Sequence, residues 1–467
     1  LTGANITNVS ISCGPIPTYS ISGNVSGLTG TGLVLQNNAG DDLAISTDGV
    51  FTFTTKIEEG STYSVTVKTQ PTSPEQTCIV VNGSNTVTGG NVSNVTVACE
   101  ARSWGTAALF EADNRYNAYD SDVAVDPNGN AVIAWELYES PYARVYAKYF
   151  DAATNSWSSA SILTTEYLGD ARNPQVAMDS NGNAIVVWHQ EDDSTSNIWA
   201  SHFDAVSKSW GTATLIENNP GSAGGYSDVT QIDMSGTGDA IVVWSQTTGV
   251  KGSVFANRYD ASSGNWGTAE LLEYEDTYNA HSPVVSLDAN GNAMAVWWQT
   301  YENASVSDEV WARRFNVTTG NWETAEIIDN FQSLSRYVQV SMNDAGDAVA
   351  TWLQYADNGE QNIAANIYDS VSGNWGIASY IDSRPEDAEK PEVAIDNSGN
   401  VLVVWQQSDG TSISIWSNRY DVASSSWNTP EVLEDVDGVA GVDPQIVMNS
   451  GGDAIAIWAQ YDGSQRS

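Results

Sequence analysis

Asn173-Pro174-Gln175-Val176-Ala177-Met178-Asp179-Ser180-Asn181-Gly182-Asn183-Ala184-Ile185-Val186-Val187-Trp188 runs from an apolar alternation through a polar turn into an apolar stretch ending in Trp. The pattern recurs seven times. Its anchors are Trp135, Trp188, Trp244, Trp297, Trp352, Trp405 and Trp458, 53 to 56 residues apart. A fixed period of this size means a solenoid, a propeller or an array. Asn181-Gly182 accepts the positive φ of a tight hairpin, so the residues before and after it read as strands A and B. Ala184–Trp188 is almost wholly apolar, which predicts a strand buried on both faces. Asn197–Phe203 reads as strand C and Trp210–Ile216 as strand D. Four antiparallel strands per repeat with a bulky aromatic layer fit a propeller blade, and seven copies predict seven blades over 101–467.

Working outward, Trp104–Phe110 reads as an isolated strand D, placed to close a ring as the outer strand of the seventh blade. The seventh repeat has strands A and B and reaches Ser467 where C is due, an open edge that invites strand addition. At the other end, LTGANITNVSISC (1–13) and VTGGNVSNVTVAC (87–99) are one strand written twice. The second closes a small β-domain over 14–100. The first reads as the last strand of a preceding domain, so the chain is expected to be a piece of a longer precursor with tandem copies. Within 14–100, alternation in Tyr19–Val25, Leu33–Leu35, Val50–Phe53 and Tyr63–Val67 marks strands, with turns at Asn37–Asp41 and Asp48-Gly49.

Two resemblances follow. The segment SGLTGTGLVLQNNAGDDLAISTDGVFTF (26–53) resembles the Ig-like or transthyretin-like sandwiches strung along bacterial surface proteins. The repeats, with Trp416-Ser417-Asn418-Arg419-Tyr420-Asp421 and Trp266-Gly267-Thr268-Ala269-Glu270-Leu271-Leu272, resemble the PQVAxDxxGNAxxVW repeats of bacterial surface and secreted proteins. The fold implied is all-β: a seven-bladed β-propeller after an Ig-like β-sandwich. The fifth repeat departs from the pattern, with Asn343 for the turn Asp and Ile363-Ala364 for Ile-Trp.

The chain carries 58 acidic and 17 basic residues, a formal charge of -41. Such a surface repels nucleic acid and anionic membranes, so neither is an expected partner. No apolar run approaches the roughly 20 residues of a membrane span, so no membrane insertion is expected. The pairing expected of the three cysteines is Cys78 with Cys99, which implies an oxidising compartment and an extracellular or cell-surface location. Cys13 would be the orphan half of the missing domain's pair.

The candidate chemistry is sparse. The Asp-x-Asn-Gly-Asn turns (126–130, 179–183, 288–292) are read as hairpins. They lack the twelve-residue loop and closing Glu of an EF-hand, and calcium is the one cofactor left open. They also differ in spacing from the Asp-box Ser-x-Asp-x-Gly-x-Thr-Trp of sialidases. His189, His202 and His281 are the only histidines, and no Gly-x-Ser-x-Gly accompanies them, so a hydrolase triad is not expected. Carboxylate pairs are a three-dimensional property that spacing leaves open. The variable loops joining B to C and D to A are acidic and Tyr-rich. The ligand-binding candidates there are Tyr138, His189, Asp192, Tyr274, Tyr301, Tyr355 and Tyr461. The expected function is non-enzymatic: adhesion to a protein or glycan through a propeller face. The alternatives are a filament subunit self-assembling by strand exchange and, ranked last, a secreted glycan-active enzyme.

Overall fold

The structure is a computed structural model. It describes residues 14–72, 76–101 and 116–460, apart from 165–168, 193–194, 219–221, 224–229, 249–250, 274–277, 301–307, 332, 357, 384, 409–411 and 435–439. The expected strands at 1–13 and Trp104–Phe110, and the closing segment 461–467, lie outside the described residues. Every regular element described is a β-strand, and the chain divides into two units, residues 1–110 and 111–467.

The first unit has two four-stranded sheets. One orders Gly49–Thr52, Ile21–Ser26, Val92–Ala101 and Gln76–Val81; the other orders Asp41–Ile45, Leu33–Asn37, Thr62–Thr69 and Ser84–Thr86. Alternate residues point inward, so Ile21, Leu33, Leu35, Val95 and Val97 reach 0% exposure in one shared core. Cys78 stands opposite Cys99 on adjacent antiparallel strands, and the two form a disulfide. A cross-link closing 21 residues contributes about 3 kcal/mol on the chain-entropy model.

The second unit is a propeller-like succession of sheets, one per repeat. The second sheet shows the plan. Strand A is Ala171–Met178, strand B Ala184–Asp192 and strand C Thr195–Asp204, paired antiparallel in that order. Strand D differs from expectation: it is two short pieces, Ser209–Trp210 and Thr214–Leu215, both paired with C. The Gly211 N–H still bonds the His202 carbonyl (2.7 Å), but the next residues leave the ladder and Ala213 turns into the core. The last sheet described holds Gly441–Met448 and Ala454–Gln460.

Burial explains the apolar strand B. Ile185 and Val187 pack with Val242 and Trp244 of the third sheet, while Val186 and Trp188 pack with Val132 and Ala134 of the first. A strand covered by a sheet on each face has no side left for polar residues. Trp188, Trp244, Trp297, Trp352 and Trp405 are 0% exposed. In these five sheets the indole N–H donates to the Gln two residues on: Gln190, Gln246, Gln299, Gln354 and Gln407. A buried N–H without a partner costs about 1–3 kcal/mol, so Trp-x-Gln is one structural unit. In the first sheet Leu137 stands in the Gln place, and the buried Trp135 indole N–H has no partner among the described residues.

Candidate functional site

The two ends of strand A are built differently. At the A–B turn, Asp179 Oδ1 accepts from Asn181 N and Asn183 N (2.8 Å each), and Oδ2 accepts from Asn183 Nδ2 (2.7 Å). Gly182 closes the turn at φ 87°, and a Cβ there would come within 3.2 Å of Asp126 in the preceding turn. Asn183 Oδ1 accepts Ala205 N (3.0 Å), tying this turn to the C–D turn. The same bonds recur around Asp126, Asp288 and Asp396. Asn343 serves in the fifth repeat. These buried turn acids are engaged by N–H donors of their own hairpin.

The other end of strand A carries a two-residue bulge in six of the repeats. Its first residue is Asp120, Asn173, Ser282, Tyr337, Lys390 or Asp443, each with φ between 43° and 54°. Left-handed backbone at a non-glycine residue costs roughly 1–2 kcal/mol and gathers at functional positions. Beside the bulges lie the residues that follow each core Trp: Glu136, His189, Ser245, Trp298, Leu353 and Gln406. Three of them, Glu136, Ser245 and Gln406, bond the neighbouring bulge. Ser245 Oγ accepts Ser282 N (3.1 Å), and Gln406 Oε1 accepts Asp443 N (3.0 Å). Glu136 accepts from the backbone of Asn173. One framework therefore presents a different side chain in each sheet.

Three clusters result. Between the first and second sheets, Glu136 is 3% exposed, and the charges of Arg172, Asp120 and Asp170 bear on it. Burial pushes its carboxyl above the ordinary range, Arg172 pulls it down, and the two aspartates raise it further. Arg172 is ion-paired with Asp170, whose Oδ1 accepts Ala143 N at 2.7 Å. Between the fourth and fifth, His281 stacks on Trp298 at 4.3 Å, and the Arg336 guanidinium lies 3.9 Å from the centre of one of that indole's rings. Arg336 also pairs with the 1%-exposed Asp308. Between the sixth and seventh, Lys390 pairs with Asp443, and Gln406 Nε2 donates to Glu389 (3.2 Å).

Other raised carboxyls belong to the frame. Asp329 and Asp382 lie two residues past strand D of their sheets (Glu326–Ile327 and Ser379–Tyr380), where burial lifts both to about 7. Asp329 accepts Val310 N (3.0 Å), as Glu273 accepts Val254 N (2.9 Å) one sheet earlier. Glu392, also pushed to about 7 by burial, accepts Gln339 Nε2 between adjacent A strands (2.8 Å).

The sequence candidates scatter. Tyr138 is 41% exposed at the end of the first strand B. Tyr355 is half-buried at the end of the fifth and borders a groove. His189 is corrected from loop ligand to interior residue. It is 6% exposed, with Nε2 2.6 Å from Thr230 Oγ1 and Nδ1 3.4 Å from the Ala223 carbonyl. Strand B continues past its Trp, which carries His189 inside. Asp192 pairs with Thr195 at the end of the same strand. Tyr274, Tyr301 and Tyr461 lie outside the described residues. Glu136, Asp120, Arg172, Trp298 and Arg336 were missed. The signal for them was variation at a constant offset from each anchor Trp or turn acid.

The class defined is an all-β, propeller-like repeat protein with a variable bulge end. Comparison with solved structures returns a Hadza microbial sialidase, Hz136 (TM-score 0.40, 11% identity, 77% of this chain and 74% of that one). It also returns an α-L-arabinanase from Penicillium chrysogenum (0.39, 14%, 62% and 90%) and a PL25 ulvan lyase (0.40, 11%, 63% and 77%). No protein-family model and no curated protein sequence matches the chain. The ranking of functions is corrected accordingly. A non-enzymatic adhesin was placed first and a glycan-active enzyme last, whereas these neighbours are a sialidase, an arabinanase and a lyase. At such TM-scores the likeness transfers no residue role.

Proposed function

We propose that the chain is a secreted enzyme that hydrolyses glycosidic bonds, with its site at the bulge end of the repeats. The observation that carries this is the Glu136 cluster: a 3%-exposed carboxyl whose protonated form is favoured by burial, beside the exposed Asp120 side chain and the Asp170–Arg172 pair. An acid role calls for a carboxyl whose surroundings favour its protonated form, and burial acts on Glu136 in that direction. Glu136 gives its proton to the glycosidic oxygen as the C1–O bond breaks. Water adds to C1, and Asp120 takes its proton. Arg172 offsets the negative charge of the cluster. The disulfide supports an extracellular location.

The same reading takes the first unit as an Ig-like sandwich and the second as seven blades closed into a ring. Val123, Ile455 and Ile457 are 50–57% exposed, whereas their repeat equivalents Val176, Ile185 and Val187 are at most 7% exposed. Contact between the first and last sheets would cover them. Small-angle scattering separates a closed disc from an open arc.

The test of activity is release of reducing ends from a panel of plant, algal and microbial polysaccharides. Glu136→Gln is expected to lower turnover at least 100-fold with unchanged melting temperature. Full activity of Glu136→Gln, or no release from any polysaccharide, refutes the assignment.

A further inference from the structure

A second feature lies on the fifth sheet. Two connections, after strand D of the fourth sheet and between B and C of the fifth, enclose a groove of about 560 Å³ with the fifth strand D. Phe331 and Tyr380 stack in it at 4.6 Å with 17° between the rings, and Tyr355 adds a third aromatic. Asn330, Ser333 and Asn358 supply carboxamides and a hydroxyl. Among the described residues none of its lining is charged, on a chain of charge -41. The walls are cross-bonded. Tyr355 N donates to the Leu334 carbonyl (2.9 Å), and Ala356 N and Gly359 N close the B–C turn.

A departure from the repeat builds the aromatic platform. Where C and D face each other, the other sheets pair an aromatic on C with an aliphatic on D: Tyr146 with Ile162, Trp199 with Leu215, Phe255 with Leu271, Trp311 with Ile327 and Trp416 with Val432. In the fifth sheet the pair is Ala364 with Tyr380. The aromatic has moved to the outer strand, where Tyr380 is 41% exposed and meets Phe331. Core packing alone gives no reason for the exchange.

We infer that this groove is a binding subsite for an uncharged sugar chain, one ring stacked on the outward face of the Phe331–Tyr380 pair and its hydroxyls bonded by Asn330, Ser333 and Asn358. An aromatic face suits the C–H side of a sugar ring, and amide and hydroxyl groups suit its equatorial hydroxyls. The acidic surface turns away uronates, sulfated sugars and sialic acids before they reach a groove whose described lining carries no cation to hold them. The inference rests on the glycan reading but not on the catalytic assignment, because binding is read without turnover.

The experiment uses the full chain carrying Glu136→Gln, in affinity electrophoresis and titration calorimetry. The neutral probes are xylan, arabinan, galactan and laminarin; the anionic ones are alginate and polygalacturonate. Binding of at least one neutral probe is expected, with none of either anionic one. Tyr380→Ile installs the residue type found in the other sheets, so the strand is kept. That variant is expected to weaken binding about tenfold or more while melting stays unchanged, and Phe331→Ala, which also trims a side chain packed on the core, to weaken binding as much. A platform variant that binds as the parent does, no binding of any neutral probe, or equal binding of the anionic probes overturns the proposal. Binding that follows this pattern while Glu136→Gln retains full hydrolysis counts against the Glu136 assignment alone.

Discussion

The two ends of strand A contrast in six of the repeats as described. At the turn end an Asp or Asn, a Gly and an Asn or Asp repeat with the same bonds, each turn leaning on the one before. At the bulge end the backbone repeats, including the left-handed residue, but the side chains do not: Asp120, Ser282, Tyr337 and Lys390 occupy one position. The lesson is a division of labour along a strand about eight residues long. One end sets the spacing between sheets, and the other is free to vary because its geometry is held by backbone and, at three of the bulges, by the residue after a core Trp.

The contrast can be broken or sharpened by substitution. The largest effect on stability is expected midway between the ends: Trp405→Ala empties a 0%-exposed site and should cost about 3–5 kcal/mol in denaturant titration. At the turn end, Asp288→Ala removes three hydrogen bonds and should cost about 2 kcal/mol. At the bulge end, Tyr337→Ala touches an exposed side chain and should stay within about 0.5 kcal/mol. Equal losses from these last two would erase the distinction.

Frame acids predict a pH profile. Asp329, Asp382 and Glu392 rise to about 7 in the fold, against about 4 when unfolded. The fold therefore favours their protonated forms. Their stabilising contribution is full below about pH 4 and is lost as pH climbs through 7. Melting temperature should fall between pH 5 and 8, and Asp382→Asn should flatten that slope. The smallest effect is a gain: Leu137→Gln supplies the partner that Trp135 lacks and should add about 1 kcal/mol, seen as a raised midpoint.

Much of the frame was legible. The seven Trp anchors, the Asn-Gly turns and the apolar B strands are local patterns, and the sheets begin and end close to where those patterns put them. Strand D was misjudged because its apolar residues look continuous, while the hydrogen-bond ladder breaks after Gly211. The site was barely legible. Tyr and acidic loops drew attention because they are polar and variable. His189 looked like a loop residue because strand B seemed to stop at Trp188.

What the sequence determined by itself was a periodic all-β frame and the cysteine pair, because alternation, turn chemistry and core aromatics act between residues near in the chain or on neighbouring strands. Only the tertiary structure decided which charges meet. Glu136 lies beside Arg172, and Trp298 beside Arg336, because successive strands A and B lie side by side once the sheets pack. Residues some 36 positions apart become neighbours through sheet stacking, and no local pattern records that distance.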